Sequence, residues 1–178
     1  MPATLSLTGP AARLNSAEGV ALFVMLAYMA VRMNAPLYNT EILRLAASIP
    51  HHQRLAVPMG SSEKRSPICG SRVTVDVNLA GGRVSEVGML VRACALGQAS
   101  SSLLAANILG KTPAELAAAR DDLTAWLAGE GPEPDWPDLD IFTPALPVTA
   151  RHPSIRLAFE AAAEAAATAA GTAAGNNV

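Results

Sequence analysis

The chain has 178 residues, which is enough for one domain with a substantial core but too few for two comfortable ones. The net charge of -2 is nearly neutral and the lysines and arginines form no stripe, so the composition excludes a nucleic-acid-binding surface. Two cysteines are too few for a secreted disulfide framework, so we expect a thiol or metal role in a reducing cytoplasm, with a disulfide between them left open.

The first 32 residues differ from the rest and are predicted to form an N-terminal extension. Residues 20–31 are a run of twelve apolar residues, shorter than the about 20 that a membrane-spanning helix needs. The run has the length of a signal-peptide core. However, the residues before it carry one positive charge, Arg13, and one negative charge, Glu18, and no clean cleavage site follows. Three interpretations stay open: an upstream mis-start of translation, a structured or membrane-touching extension, and a signal.

A first helix is predicted over residues 37–49, where apolar residues recur at a spacing near 3.6. Asn39 or Thr40 is the expected N-cap. His51 and His52 follow the helix directly. Neighbouring side chains in a loop rarely face one point, so we interpret this pair as solvated histidines and not as metal ligands.

An antiparallel hairpin is predicted in the middle of the chain. Residues 72–79 alternate strictly between apolar and polar side chains, and residues 84–91 return with a similar apolar pattern. The glycine-rich residues 80–83 form the turn. Gly88 suggests a bulge in the second strand. Residues 54–66 are polar and are predicted to form an edge strand or an extended loop.

Both cysteines lie just outside the ends of this hairpin. Cys69 precedes the first strand and Cys94 follows the second, so the paired strands place the two residues within about 10 Å of each other. Cys94 also stands at the start of a helix-forming run, where free backbone N–H groups favour a thiolate. The small residues 99–102 would allow another backbone or an inorganic ligand to approach closely. The alternative is that both cysteines are small buried hydrophobic residues.

The second half of the chain is predicted to be helical. A helix over residues 99–109 is followed by one that starts at Thr112, with a capping box, and closes at Gly129. Residues 130–150 are rich in Pro, Gly and Asp and are expected to form a largely irregular surface connector. The last helix is predicted over residues 153–170, and the tail at residues 171–178 should fray.

Three stretches together resemble the U-type iron-sulfur scaffold family, which includes the NifU N-terminal domain, IscU and SufU. The family reads N-P-x-C-G-D, then C-A-[IL]-S-x-A-S-x-S, then G-K. The matching stretches are SPICGS at residues 66–71, ACALGQASSSLL at residues 93–104 and GK at residues 110–111. The resemblance covers roughly residues 37–166, and the long connector is most similar to the SufU branch.

The resemblance implies the fold and the function. We expect an α+β fold of the SufE/NifU-like type, with about three antiparallel strands packed against a layer of helices, over residues 33–170. The implied function is a cytoplasmic scaffold or sulfur carrier, and not a turnover enzyme. It would accept sulfur from a cysteine desulfurase at Cys94 or Cys69 and bind a transient iron-sulfur cluster, or zinc, through these thiolates. Apo iron-sulfur proteins would then receive the cluster.

Two departures from the family pattern affect the implied ligands. Ser71 stands where the family has an aspartate, and Ser154 stands where it has a third cysteine. His152, two positions earlier, could complete a three-point metal site with Cys69 and Cys94, because imidazole binds both zinc and iron-sulfur clusters. The alternative for His152 is a helix-capping or surface role. A homodimer is a further alternative, in which two chains supply four thiolates for one [2Fe-2S] cluster.

Two other functions stay open beside cluster assembly. The chain could relay sulfur as a persulfide without building a cluster, as the related SufE fold does on a single cysteine. It could also be a divergent partner module that binds neither a metal nor a cluster. Sulfur uptake and metal content distinguish the three hypotheses.

Overall fold

The computed structural model describes residues 20–21, 36–67 and 69–175. The chain divides into two compact units, Met1–Asn34 and Ala35–Val178. The predicted N-terminal extension therefore lies outside the described residues except for Val20 and Ala21, and the end of the predicted tail lies outside them as well. No helix within the described ranges is long and apolar enough to cross a membrane.

The second unit is built on a three-stranded antiparallel sheet. Strands β1 (Gly60–Arg65), β2 (Arg72–Ala80) and β3 (Arg83–Arg92) lie in that order, so β1 is an edge strand and β2 is central. Gly81 and Gly82 connect β2 to β3 with φ angles of 58° and 75°. Only residues that tolerate positive φ form such a tight hairpin turn. The predicted hairpin, the edge strand and the α+β class are confirmed.

The irregularity in the hairpin lies elsewhere than predicted. The β2–β3 register shifts between Asn78 and Leu79, near the turn, whereas Gly88 pairs regularly with Asp76. A side chain at Gly88 would lie 2.5 Å from the carbonyl oxygen of Gln53. Gly88 is therefore required by a close backbone approach and not by a bulge.

Four α-helices accompany the sheet within residues 36–175. They are α1 (Thr40–Ala47), α2 (Ala95–Asn107), α3 (Pro113–Ala128) and α4 (His152–Gly175). The side chain of Asn39 caps α1 by accepting the N–H of Ile42 at 2.9 Å. Thr112 and Glu115 form the predicted capping box of α3. Helix α2 begins four residues before the predicted start, because Cys94 is its N-cap.

The alanine-rich helix α4 packs against β1, β2, α2 and α3. It runs to Gly175, five residues past the predicted end at Ala170. Its small side chains let the sheet approach closely. An added Cβ at Gly60 in β1 would lie 2.0 Å from the carbonyl oxygen of Ala165.

The other face of the sheet is covered by residues 51–59, so the predicted polar face of β2 is not solvated. Asp76 is fully buried, and its Oδ1 accepts a hydrogen bond from Arg54 at 2.9 Å. Its Oδ2 accepts the N–H of Leu55 at 3.1 Å. Thr74, on the same face, is 5% exposed. The covering segment thus turns a half-exposed strand into a buried one.

His51 and His52 attach this covering segment to β3. The carbonyl oxygen of His51 accepts the N–H of Met89 at 2.9 Å, and Nε2 of His52 accepts the N–H of Val91 at 3.2 Å. Both histidines are exposed, as interpreted from the sequence. Because Nε2 of His52 is a hydrogen-bond acceptor here, that ring carries its proton on Nδ1.

The connector at residues 130–150 is part of the core, which corrects the prediction of an irregular surface segment. It contains 3-10 turns at Leu139–Ala145 and Thr149–Arg151. The ring of Trp136 meets Phe159 of α4 edge-on, with centroids 5.1 Å apart, and its indole N–H donates to the carbonyl oxygen of Leu103 at 3.3 Å. Aromatic burial therefore holds a segment whose Pro and Asp content suggested solvent exposure.

Replacing Gly60 with alanine should destabilise the protein by about 3 kcal/mol, because the new methyl group would collide with the backbone of α4. Gly171→Ala is the matched control, since no atom lies within 4 Å of a Cβ added there. That substitution should stabilise the helix by roughly 0.5–1 kcal/mol. Urea unfolding followed by circular dichroism measures both, and equal stability of the two variants would contradict the packing described.

Candidate functional site

The closed hairpin brings Cys69 and Cys94 to the same end of the sheet. Arg72 and Arg92 form the last β2–β3 pair, with Cys69 three residues before it and Cys94 two residues after it. Both cysteines are free thiols, so the disulfide alternative is not realised. Cys69 is exposed, and Cys94 is partly exposed. Neither is a buried hydrophobic residue.

One hydroxyl group lies between the two cysteines. The Oγ atom of Ser71 is 3.0 Å from Sγ of Cys69 and accepts the backbone N–H of Cys94 at 3.3 Å. Ser71 itself is 4% exposed. The residue that replaces the aspartate of the family pattern therefore contacts both cysteines.

Ser154 completes the surroundings of Cys69. Its Oγ atom lies 3.0 Å from Sγ of Cys69, and its side chain is 1% exposed. Gly97 in α2 makes this placement feasible, because a Cβ there would lie 3.0 Å from the carbonyl oxygen of Ser154. The structure thus places the residue aligned with the third cysteine in contact with the first.

The small-residue run in α2 serves helix packing. Ser100 donates to the carbonyl oxygen of Ile155 at 2.6 Å, and Ser102 donates to that of Ser48 at 3.0 Å. Ser101 bonds within its own helix, to Gly97. Two kinds of close neighbour were predicted for this run, another backbone or an inorganic ligand. The structure shows the backbone contact.

The pKa of the Cys69 thiol is lowered from its ordinary value of 9.0 to about 6. Partial burial works in the opposite direction and raises the pKa. Hydrogen bonds from the hydroxyls of Ser154, Ser66 and Ser71 and from the backbone of Ser71 outweigh it, because they stabilise the charged sulfur. Cys69 is therefore a thiolate at neutral pH.

Cys94 has a different environment. It occupies the N-cap position of α2 with extended backbone angles, φ -65° and ψ 166°. Its side chain makes no capping hydrogen bond, so the predicted contact of its sulfur with the free N–H groups of the helix is not present. Its backbone N–H, and not its sulfur, is what joins it to Ser71.

His152 lies at the start of α4 and is buried. Its Nε2 atom is 3.0 Å from the carbonyl oxygen of Ala145 and 3.1 Å from that of Leu146. Carbonyl oxygens only accept, so Nε2 carries the proton and has no lone pair for a metal. His152 therefore holds the end of the 3-10 turn at Leu139–Ala145 to α4. This is close to the helix-capping role that was the alternative to metal binding.

The donor set of the site consists of two thiols and neighbouring hydroxyls. Across the described ranges, no three His, Cys, Asp or Glu side chains are grouped so that they could hold a metal ion. Within those ranges Cys69, Cys94 and His152 are therefore not grouped as a three-point site.

The Gly110-Lys111 pair matches the G-K of the family pattern. It bonds to the first residues of β3, at the end of the sheet opposite the cysteines. The N–H of Gly110 donates to the carbonyl oxygen of Val84 at 2.8 Å, and Val84 donates back to Lys111 at 2.9 Å. The Lys111 ammonium lies 5.4 Å from the centroid of the Trp136 ring. These residues join α2, β3 and the connector and have a structural role.

In the sequence pattern Ser71 and Ser154 read only as lost ligands, and their contacts with Cys69 are not evident. Ser66 is a further residue of the site, since its Oγ atom accepts the N–H of Cys69 at 3.4 Å. A signal was present, because a serine three residues before a loop residue commonly bonds its backbone. The contact with Ser154, 85 residues away, had no local signal.

No family model and no curated protein matches the chain. Among solved structures, the chain is similar to the N-terminal part of a nitrogen-fixing NifU-like protein from Brucella abortus. The two share 37% sequence identity with a TM-score of 0.73, and the match covers 80% of this chain and 98% of the other.

Two further structures share the fold at 20% identity. One, from Fervidobacterium islandicum AW-1, is described as an iron-sulfur cluster assembly scaffold of the SUF system, SufU. It has a TM-score of 0.67, and the match covers 73% of this chain and 96% of the other. The other is a hypothetical protein with a TM-score of 0.58, covering 71% and 94%.

Alkylation of Cys69 by iodoacetamide should accelerate as the pH rises through about 6 and level off well below 9, because only the thiolate reacts. Ser154→Ala should move the midpoint upward, since the Ser154 hydroxyl is the largest of the stabilising contacts. Ser101→Ala, which removes a hydroxyl bonded within α2, is the control and should leave the midpoint in place. Peptide-resolved mass spectrometry measures the rates.

The same pKa shift predicts a pH dependence of stability. Because the folded thiol binds its proton more weakly than the unfolded one, its contribution is complete above pH 9 and is lost as the pH falls through about 6. A midpoint for Cys69 alkylation near 9 would contradict both expectations.

Proposed function

This chain belongs to the U-type iron-sulfur scaffold family of NifU-like N-terminal domains, and we propose that it accepts sulfur from a cysteine desulfurase and assembles iron and sulfide on Cys69 and Cys94. The observation that carries the proposal is the Ser71 hydroxyl, which contacts Sγ of Cys69 and the backbone N–H of Cys94. It joins the two cysteine positions into one exposed site.

Sulfur acceptance is supported by the exposure and charge of Cys69. Cys69 is an exposed residue, and its lowered pKa makes it a thiolate at neutral pH. A thiolate is the species that attacks the terminal sulfur of a persulfide. A cysteine desulfurase is accordingly the partner proposed upstream.

The cluster is cargo in this proposal. A [2Fe-2S] cluster takes four protein ligands, and one chain contributes two cysteine thiolates. A homodimer in which each chain contributes Cys69 and Cys94 supplies all four. Because no third cysteine anchors the cluster, we expect it to be held weakly and transferred readily to apo iron-sulfur proteins.

A second candidate function is sulfur relay without a cluster. It is favoured by Ser154, which occupies the place aligned with the third cysteine and contacts Sγ of Cys69 at 3.0 Å. A serine hydroxyl is a poor iron ligand at neutral pH, yet it is a good hydrogen-bond donor to a charged sulfur. Persulfide carriage needs only such a stabilised thiolate.

Anaerobic incubation with iron and sulfide should give the protein visible absorption and bound acid-labile sulfide. Cys69→Ala and Cys94→Ala should each abolish both, because neither leaves enough thiolates in a dimer. Metal and sulfide content are measured on protein purified without air. A colourless wild-type protein that nevertheless takes up sulfur would favour the relay function, and one that does neither would support a divergent partner module.

Ser154→Cys should restore a third thiolate and raise the zinc affinity about a hundredfold, which is the scale of one added ligand in small zinc sites. The substituted sulfur would start from a position 3.0 Å from Sγ of Cys69. Ser100→Cys, a buried position facing Ile155 instead of the cysteines, is the control. Competition with a zinc-responsive dye measures the affinity, and equal affinity of the two variants would contradict the geometry.

A further inference from the structure

We infer that the hydroxyls of Ser71 and Ser154, here called the serine pair, hold the accepted sulfur on Cys69 in the absence of any metal ion. The inference rests on the proposed function, because it assigns a role to two residues in sulfur acceptance. Both serines stand where the family pattern has other residues, an aspartate and a third cysteine. The serine pair would be positioning residues, which act through Cys69.

The geometry of the serine pair is that of a sulfur-binding pocket. Both Oγ atoms lie 3.0 Å from Sγ of Cys69, and the two side chains are 4% and 1% exposed. They approach from different elements, Ser71 from the start of the hairpin and Ser154 from the first turn of α4. Two buried hydroxyls therefore converge on the sulfur of one exposed cysteine.

The backbone of Cys94 orients one of these hydroxyls. Oγ of Ser71 accepts the N–H of Cys94 and the S–H of Cys69, so once Cys69 has lost its proton the Ser71 hydroxyl rotates its own O–H toward the charged sulfur. A hydroxyl that accepts one hydrogen bond is also a stronger donor in the next. Cys94 thus supports Cys69 through its amide, independently of its own thiol.

The same arrangement distinguishes the two cysteines as acceptors. Cys69 is the more exposed and has both hydroxyls at its sulfur. The side chain of Cys94 makes no capping hydrogen bond at its helix. We therefore assign the first sulfur transfer to Cys69.

The proposed step uses no metal ion. His152 directs Nε2 to two carbonyl oxygens, and within the described part of the chain no third His, Cys, Asp or Glu joins the two cysteines. In a metal site the bound metal would orient this sulfur. Here the serine pair orients it through hydrogen bonds.

The transfer balances without an added oxidant or reductant. Sγ of Cys69 attacks the terminal sulfur of a persulfide donor R–S–SH, a new S–S bond forms, and the S–S bond of the donor breaks. The donor sulfur leaves with the electron pair and takes the proton that Cys69 has lost. The products are Cys69–S–SH and R–SH, and the transferred sulfur keeps its oxidation state.

The test is sulfur uptake with the metal removed. The full chain is incubated with EDTA and either inorganic polysulfide or a purified cysteine desulfurase with cysteine, and peptide mass spectrometry locates the added sulfur. We expect the sulfur first on Cys69. Ser71→Ala and Ser154→Ala should each slow the uptake about tenfold, the scale of one lost hydrogen bond to a charged group.

Ser100→Ala is the matched control. Its hydroxyl is buried and bonds the backbone one residue after Ser154, but it does not contact either cysteine. Uptake by this variant should equal that of the wild type, while both Ser71→Ala and Ser154→Ala keep their circular dichroism spectra. Ser154→Thr, which retains the hydroxyl, should recover uptake if the hydroxyl is what matters.

The outcomes separate this inference from the proposed function. Uptake at Cys69 from both donors that is unchanged in folded Ser71→Ala and Ser154→Ala would overturn the serine pair and leave the function standing. First uptake at Cys94, or uptake that EDTA abolishes, would overturn it as well. Serine-dependent uptake from polysulfide alone would support the serine pair and argue against the desulfurase as donor.

Discussion

The antiparallel pairing of β2 with β3 is the constraint on which the site depends. Strand pairing fixes register, and here the last pair, Arg72 with Arg92, sets Cys69 and Cys94 beside each other. A slip by one residue would turn Val73, Val75 and Val77 out of the core, since all three are fully buried. The hydrophobic face of β2 therefore also determines the geometry of the thiols.

Helix α4 supplies the rest of the site because small residues let it come close. Gly60 admits it to the sheet and Gly97 admits it to α2. A Cβ at Gly60 would lie 2.0 Å from the carbonyl oxygen of Ala165, and one at Gly97 would lie 3.0 Å from that of Ser154. This close packing places Ser154 against Cys69, which is 85 residues away in the chain. The small alanine side chains of α4 thus contribute to function because they allow this close packing.

Local features of the fold were predictable from the sequence, and long-range contacts were not. The Gly81-Gly82 turn and the Thr112–Glu115 capping box depend on neighbouring residues alone. Burial of Asp76 depends on Arg54, 22 residues earlier, and the placement of Trp136 depends on Phe159. Similarly, the motif identified both cysteines, whereas the role of Ser154 required a contact across 85 residues.

The contact of Ser71 with residue 94 has a consequence for how this site could change over generations. It uses the backbone amide of Cys94, so any side chain except proline would preserve it. The thiol at that position is thus separable from the architecture around Cys69. A lineage could drift from two sulfurs to one here without dismantling the pocket.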